Sequence, residues 1–194
     1  EVQVVSMAPE EASATIRKGL AMGAASALQV VDPALAGADL GVTATVLAAA
    51  VRRAGFDLVI TGNLSTDGSG GVIPAMLAEH LGVPQATALS SVTISASEVS
   101  GTRATDGGVA QVTAALPAVI SITEALPDAR FPNFKGIMAA KKKPFETVSL
   151  ADLDVDIDPS AAPQSILTQV SEKPARGAGV KITDEGDACL LYTS

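Results

Sequence analysis

Residues 61–77 read TGNLSTDGSGGVIPAML. Gly62, Gly68, Gly70 and Gly71 are interleaved with Asn63, Ser65, Thr66, Asp67 and Ser69, and Val72 and Ile73 then open an apolar run. Such a stretch suits one kind of chemistry. Residues without bulk let the main chain approach a ligand closely, and a helix starting just after them offers free N–H groups and a positive dipole to an anion. Ser65, Thr66 and Asp67 would orient the turn or accept hydrogen bonds. The pattern is not the dinucleotide fingerprint, because Ile73 stands where G-x-G-x-x-G needs its third glycine. It is not a Walker loop either, since no Gly-Lys-Ser/Thr follows. On these residues alone a phosphate-binding loop and an ordinary strand-to-helix turn both remain open.

A second constellation lies in LPDARFPNFKGIMAAKKKP, residues 126–144. Two of the chain's four phenylalanines, Phe131 and Phe134, stand there among Arg130, Lys135, Ile137, Met138 and the run Lys141, Lys142, Lys143. A local basic and aromatic patch in an acidic chain fits a protein-docking surface, where aromatic and Arg side chains anchor and charges steer. The alternative is that both rings pack inward and the lysines form a solvated helix face.

Composition removes other chemistries. The 194 residues are 47% hydrophobic, enough for a substantial core, with a net charge of −8 that argues against a general nucleic-acid binder. The apolar runs are short and interrupted, so direct membrane insertion is not expected. His80 is the only histidine and Cys189 the only cysteine. A multi-histidine metal site, a disulfide framework and a Ser-His-Asp triad therefore lack material.

The elements that would position the glycine stretch alternate between strand and helix. VQVVSM reads as a strand. APEEASATIRKGLAMGA reads as a helix, with Pro9 and two glutamates at its start and Gly23 at its end. ALQVVD is a second strand. ADLGVTATVLAAAVRRAG is a second helix, with Asp39 as N-cap, Arg52 and Arg53 in the last turn and Gly55 beyond. FDLVITG is a continuously apolar strand, as expected in a parallel sheet covered on both faces, and VIPAMLAEHLG is a helix. The alternation predicts an α/β domain with a parallel sheet. After VPQ the β-rich runs, with turn signals at Ser97 and Asp106-Gly107-Gly108, read as antiparallel strands. PAVISIT is one more buried strand, and the basic segment is irregular with a short helix.

The expected organisation is a nucleotide-binding domain over residues 1–153 and an extended arm over 154–188, which is acidic and then rich in Pro, Ala, Ser and Gln. Residues 189–194, CLLYTS, are what TGT CTC TTA TAC ACA TCT encodes, a transposon-end sequencing adapter, and are read as an artefact rather than as fold. The chain opens at Glu1, directly in a strand-like run and without methionine, so its true N-terminus is expected upstream.

Taken in order, ATIRKGLAMGA, DLVITGNLSTDG, GVPQATALSSVTI, LPAVISITEALPDARFPNFKGIMAAKKKP and ETVSLADL resemble the beta subunit of electron-transfer flavoprotein, most closely its actinobacterial type. The resemblance covers Glu1 to Ala188, and the family's preceding strand–helix unit and terminal helix are expected to be cut away. It implies an adenine-nucleotide-binding, Rossmann-like α/β fold with added antiparallel strands and a C-terminal arm for the partner. It implies a heterodimer with an alpha subunit that holds most of a redox-active FAD, a structural AMP in this subunit, and no acid, base or nucleophile of its own. The AMP site would be Gly62, Asn63, Ser65, Thr66, Asp67, Gly68, Ser69, Gly70, Gly71, Val72 and Ile73, with Ser6 and Met7. The loop lacks the D-G-D-T pattern of bifurcating relatives, which favours AMP over a second FAD.

The docking segment would run from Ile122 to Lys143, using Arg130, Phe131, Phe134, Ile137, Met138, Lys141, Lys142 and Lys143, with Phe134 as anchor. Acyl-CoA and related dehydrogenases would be donors, a membrane quinone oxidoreductase the acceptor, and the location cytoplasmic. Two positions depart from the family pattern. Ala104 stands where many members have a glutamate that pairs with the alpha subunit, and Ala139 replaces a frequent lysine. A different class of protein, a stand-alone adenine-nucleotide sensor of the universal-stress type, would share the glycine loop but leave the basic-aromatic segment and the arm without a use. A small-molecule enzyme would lack a carboxylate pair at catalytic spacing.

Overall fold

The computed structural model describes residues 1–65, 68–129 and 131–155, together with isolated positions of the following segment. Nine strands and four α-helices are formed by these described residues. Strands β1 (Gln3–Met7), β2 (Ser26–Val30) and β9 (Phe145–Val148) make one parallel sheet in the order β1-β2-β9. Strands β3 (Leu58–Gly62), β8 (Ala118–Ile122) and β4 (Gln85–Leu89) make a second parallel sheet in the order β3-β8-β4. Strands β5 (Ser91–Ile94), β6 (Glu98–Thr105) and β7 (Gly108–Ala115) form an antiparallel sheet. The fold is thus α/β with parallel sheets and an added antiparallel layer.

Helices α1 (Ser13–Ala21), α2 (Leu40–Ala54), α3 (Ile73–Leu81) and α4 (Phe134–Ala140) cover the parallel strands. Helix α2 begins where Asp39 accepts a hydrogen bond from the Val42 amide, 2.9 Å, and ends at Gly55, whose φ of 73° suits a residue without Cβ. Its apolar positions divide between two partners. Val46 and Ala50 pack with Leu28, Val30 and Val148 of the first sheet. Ala48, with Leu47 beside it, packs with Val59 and Val119 of the second sheet and with Leu77 and Ala78 of α3. On the other face of the first sheet, Ile16 and Leu20 of α1 and Ala140 of α4 meet Ala27, Val4 and Phe145. On the other face of the second sheet, Leu58, Ile120 and Ile122 meet Val99, Ala114 and Val92 of the antiparallel layer. Along β2 and β8 alternation therefore feeds two separate cores, whereas β3 at its sheet edge leaves Ile60 exposed.

Two elements differ from the sequence reading. Residues 86–89 were expected to open the antiparallel set, yet β4 runs parallel to β8, and the antiparallel order begins at β5. Ala88 has a φ of 57° where the β4–β8 register shifts, and Leu89 beyond it still pairs parallel with Ile122. The buried Ser121 hydroxyl accepts the Ala88 amide at 2.7 Å and so satisfies the main chain at this bulge. The other difference is β9, a four-residue strand that the sequence reading left out. It adds to the edge of the first sheet beside β2, and it is too short to show a period of its own.

Gly101 in β6 has no room for a side chain. A Cβ there would run into the Ser91 main-chain carbonyl of β5 and would lie 3.3 Å from the Leu89 side chain. Main chain cannot rotate away as a side chain can, so Gly101→Ala is expected to destabilise the protein by about 1–3 kcal/mol through overpacking. Gly107→Ala, where nothing lies within 4 Å, should change stability by less than about 0.5 kcal/mol. Chemical denaturation of the two variants checks the contrast, and equal stabilities would contradict the close β5–β6 approach.

Candidate nucleotide cleft and docking surface

An open cleft of about 1140 Å³ lies at the carboxyl ends of β1 and β3 and brings the glycine stretch together with parts of the chain far away in sequence. Ends of parallel strands are where α/β sheets receive ligands. Of the residues singled out from sequence, Met7, Gly62, Asn63, Ser65, Gly68, Gly70, Gly71 and Ile73 line it. Ser6, Ser69 and Val72 are not among the lining residues. Strand alternation turns Ser6 to the opposite face of β1 from Met7. Ser69 instead folds back, with its amide and hydroxyl both donating to the Ser65 carbonyl, at 3.1 and 3.2 Å. Thr66 and Asp67 lie outside the described residues.

The loop's conformation explains its composition. Ser69 and Gly71 are both left-handed, with φ of 50° and 65°. Alternating hands in successive residues turn main-chain N–H groups toward a common side, the geometry of an anion nest. A Cβ on Gly71 would meet only the tip of the exposed Leu64 side chain, which can move aside, so it is the left-handed backbone that calls for glycine there.

Two helix starts face this cleft, and they differ. The N-terminal end of α2 is occupied by the protein's own carboxylate, since Asp39 caps it. The N-terminal end of α3 has no side-chain cap at Val72. Its first intrahelical bond runs from the Met76 amide to the Val72 carbonyl at 3.0 Å, and Pro74 carries no N–H. The first-turn amides of Ile73 and Ala75 thus have no acceptor further back in the helix. Around these starts the walls are mixed. Leu35, Leu40, Leu47, Leu64 and Ile73 supply apolar surface, while Thr43, Thr61, Asn63 and Ser65 supply hydroxyl and amide groups. No lysine or arginine is among the described lining residues.

The sequence reading missed the α2 side of the cleft. Leu35, Gly37, Ala38, Leu40, Thr43 and Leu47 line it, and Asp39 was read only as a cap. The signal was present in principle, because the loop before α2 follows β2 as the glycine loop follows β3, and ligands bind at the carboxyl ends of such strands. The position after β1 is also fixed from outside the cleft. The buried Gln29 side chain donates from Nε2 to the carbonyls of Ala8 and Pro9, at 3.2 and 2.8 Å, and ties the turn after Met7 to β2.

The basic-aromatic segment forms a separate surface. Phe131 is 93% and Phe134 79% exposed, and Ile137 and Met138 are also exposed on α4. Lys141 and Lys142 face solvent. Lys143 is partly buried, and its ammonium is engaged inside the protein by main-chain carbonyls. Arg130 lies outside the described residues.

Among the described residues the resolved shifts fall at Arg53, raised by its hydrogen bond and charge contact with Glu146, and at Asp152, lowered by hydrogen bonds from the Ser149 amide and hydroxyl. Arg53 is in the last turn of α2, at the opposite end from the cleft. No group of three His, Cys, Asp or Glu among the described residues is placed to hold a metal. No helix in the described residues is long and apolar enough to cross a membrane.

Comparison with known proteins agrees with this architecture. A family profile described as "Electron transfer flavoprotein domain" matches residues 1–153. The chain is 46% identical over 190 residues to the electron transfer flavoprotein subunit beta of Mycobacterium leprae, covering 96% of this chain and 71% of that protein. It is 46% identical over 189 residues to the corresponding subunit of Mycobacterium tuberculosis H37Rv, with 96% and 71% covered. To the subunit of Sus scrofa it is 35% identical over 189 residues, with 96% and 72% covered. With a matching profile over most of its length and relatives this similar across nearly all of it, the chain belongs to the electron transfer flavoprotein beta subunit family.

Proposed function

We propose that this chain holds a structural AMP in the cleft between α2 and α3, joins an alpha subunit that carries most of a shared FAD, and docks acyl-CoA and related dehydrogenases through α4. The observation that carries the nucleotide half is the contrast between the two helix starts. Where Asp39 already caps α2, an added anion finds no vacancy. Where α3 starts without a cap, a phosphate meets main-chain amides and the positive end of the helix. With no lysine or arginine on the described wall, recognition would rest on the backbone, and the leucine-rich side would take the base. The residues present therefore fit a mononucleotide.

FAD, when bound, supplies the redox chemistry that accepts electrons from a dehydrogenase and passes them to a membrane quinone oxidoreductase. The chain's own residues would bind, orient and dock. None is asked to be an acid, base or nucleophile, and a cytoplasmic location follows from this role. The arm over residues 154–188 would lie against the alpha subunit. The nucleotide-binding domain would end at residue 153, and residues 189–194 would be an adapter-derived tail. A stand-alone nucleotide sensor would leave the outward apolar face of α4 without a use.

Gly70 allows a clean test of the cleft. It is not left-handed, and a Cβ there would make only ordinary contact with Leu40, at 3.5 Å. Gly70→Ala should keep its nucleotide. Gly70→Asp places a carboxylate where the phosphate is proposed and should lower the AMP released from denatured protein at least about tenfold, the equivalent of ~1.4 kcal/mol. Equal AMP from both variants would remove this placement.

Docking is tested at Phe134. Truncating a hot-spot anchor typically costs about 2 kcal/mol or more. Phe134→Ala should therefore slow electron transfer from an acyl-CoA dehydrogenase at least about tenfold below saturation, with flavin content and melting temperature unchanged. A lower melting temperature with normal transfer would instead make the ring a packing residue. Charge reversal at Lys141 and Lys142 should reduce mainly the association rate, an effect that added salt masks.

A further inference from the structure

Helix α4 is seven residues long, and only Ala140 on it is buried. A helix of that length is not stable by itself in water, and most of its apolar side chains face outward, so something else must hold it. The holding contacts converge on the C-terminal end of α1. Lys143 donates from Nζ to the carbonyls of Leu20 and Ala24, at 2.8 and 2.5 Å. Arg17 donates from Nη1 to the carbonyl of Ala140 at 3.3 Å, and its guanidinium lies over the Phe145 ring, 4.6 Å from the centroid. Gly136 sits so close to the Ala21 carbonyl that a Cβ would collide with it. Asn133 caps α4 by accepting the Gly136 amide at 2.7 Å.

We propose that Lys143, with Arg17, is a positioning residue that clamps α4 to the end of α1 and so presents Phe134, Ile137 and Met138 to a partner protein in one fixed orientation. This rests on the docking role of α4. Lys143 thereby separates in function from its neighbours. Lys141 and Lys142 are solvated charges that can steer an approaching partner. The Lys143 ammonium is a cation at a helix C-terminus, where the last carbonyls and the negative dipole end favour it, and its charge is directed inward. A surface that is ordered before it binds pays less conformational entropy on binding. Losing the clamp should therefore weaken docking without touching electron transfer inside the docked complex.

The test uses the protein assembled with its alpha subunit and compares Lys143→Met, Lys143→Arg and Lys141→Met. Hydrogen exchange reads the clamp directly. Lys143→Met should speed exchange of the α4 amides about tenfold or more, since hydrogen bonds to charged groups are the stronger class, with α2 and α3 unchanged. Lys143→Arg, which keeps a cation able to reach the same carbonyls, should restore part of that protection. With an acyl-CoA dehydrogenase as donor, Lys143→Met should raise KM several-fold at unchanged kcat and keep the parent's salt dependence, whereas Lys141→Met should flatten it. The proposal is overturned if α4 exchange is unaltered in Lys143→Met, if all elements loosen equally, or if Lys143→Met flattens the salt dependence as Lys141→Met does. Normal transfer by Phe134→Ala would remove the docking role itself, and with it the purpose assigned to the clamp. The exchange data would still decide whether the clamp exists.

Discussion

The packing of one helix against two sheets is the contact on which the rest of this molecule depends. Strand β1 pairs with β2, and β3 pairs with β8, but the two parallel sheets are separate hydrogen-bonded units in the described residues. Helix α2 touches both, through Val46 and Ala50 on one side and Ala48 on the other. Five alanines, Ala44, Ala48, Ala49, Ala50 and Ala54, help keep its surface thin enough to approach each sheet, and Ala44, Ala48 and Ala50 are buried. Because the same helix starts at the cleft, its seating sets the distance between Met7 at the end of β1 and the glycine loop after β3. A bulkier residue at Ala48 would therefore act on the cleft without lining it. The open edge of β3 has a local cost, visible in Ile60, which is 54% exposed in the middle of a parallel strand.

The two surfaces follow opposite strategies. In the cleft the polar groups are main-chain amides and the short side chains of Thr43, Thr61, Asn63 and Ser65. On α4 the main chain is satisfied by its cap and by α1, and the side chains project. The charge distribution follows the same division. An overall balance of −8 is reversed locally at residues 141–143, where Lys141 and Lys142 face solvent and Lys143 is turned toward main-chain carbonyls of Leu20 and Ala24.

Much of this was legible in the sequence because local and global signals agreed. Asp39, Arg52, Arg53 and Gly55 mark α2 from cap to end, and the helix occupies Leu40–Ala54 as expected. The strand, glycine loop and helix around residues 58–81 were likewise readable from a change of period and a cluster of small residues. What escaped was whatever depends on neighbours distant in the chain. The parallel pairing of β4 is set by its partner β8, and the bulge at Ala88 is held by a hydrogen bond donated to the Ser121 hydroxyl, neither of which leaves a trace in residues 85–89. The α2 wall of the cleft could not be assembled without the strand order. Lys143 looks like its two neighbours in sequence, and only the nearness of α1 distinguishes it.

The left-handed turn at Gly71 has an evolutionary consequence. A pocket walled by functional side chains is lost by deletion, since any substitution to alanine strips it. At the start of α3 the polar groups belong to peptide bonds, which no substitution removes apart from proline. Alanine scanning along residues 62–73 would read much of this loop as silent. The damaging changes are a Cβ forced onto the left-handed backbone at Gly71 or a charge set before the first turn of α3. Selection at such a loop acts against size rather than for identity. Its sequence is then free to drift among small residues while its shape stays constant.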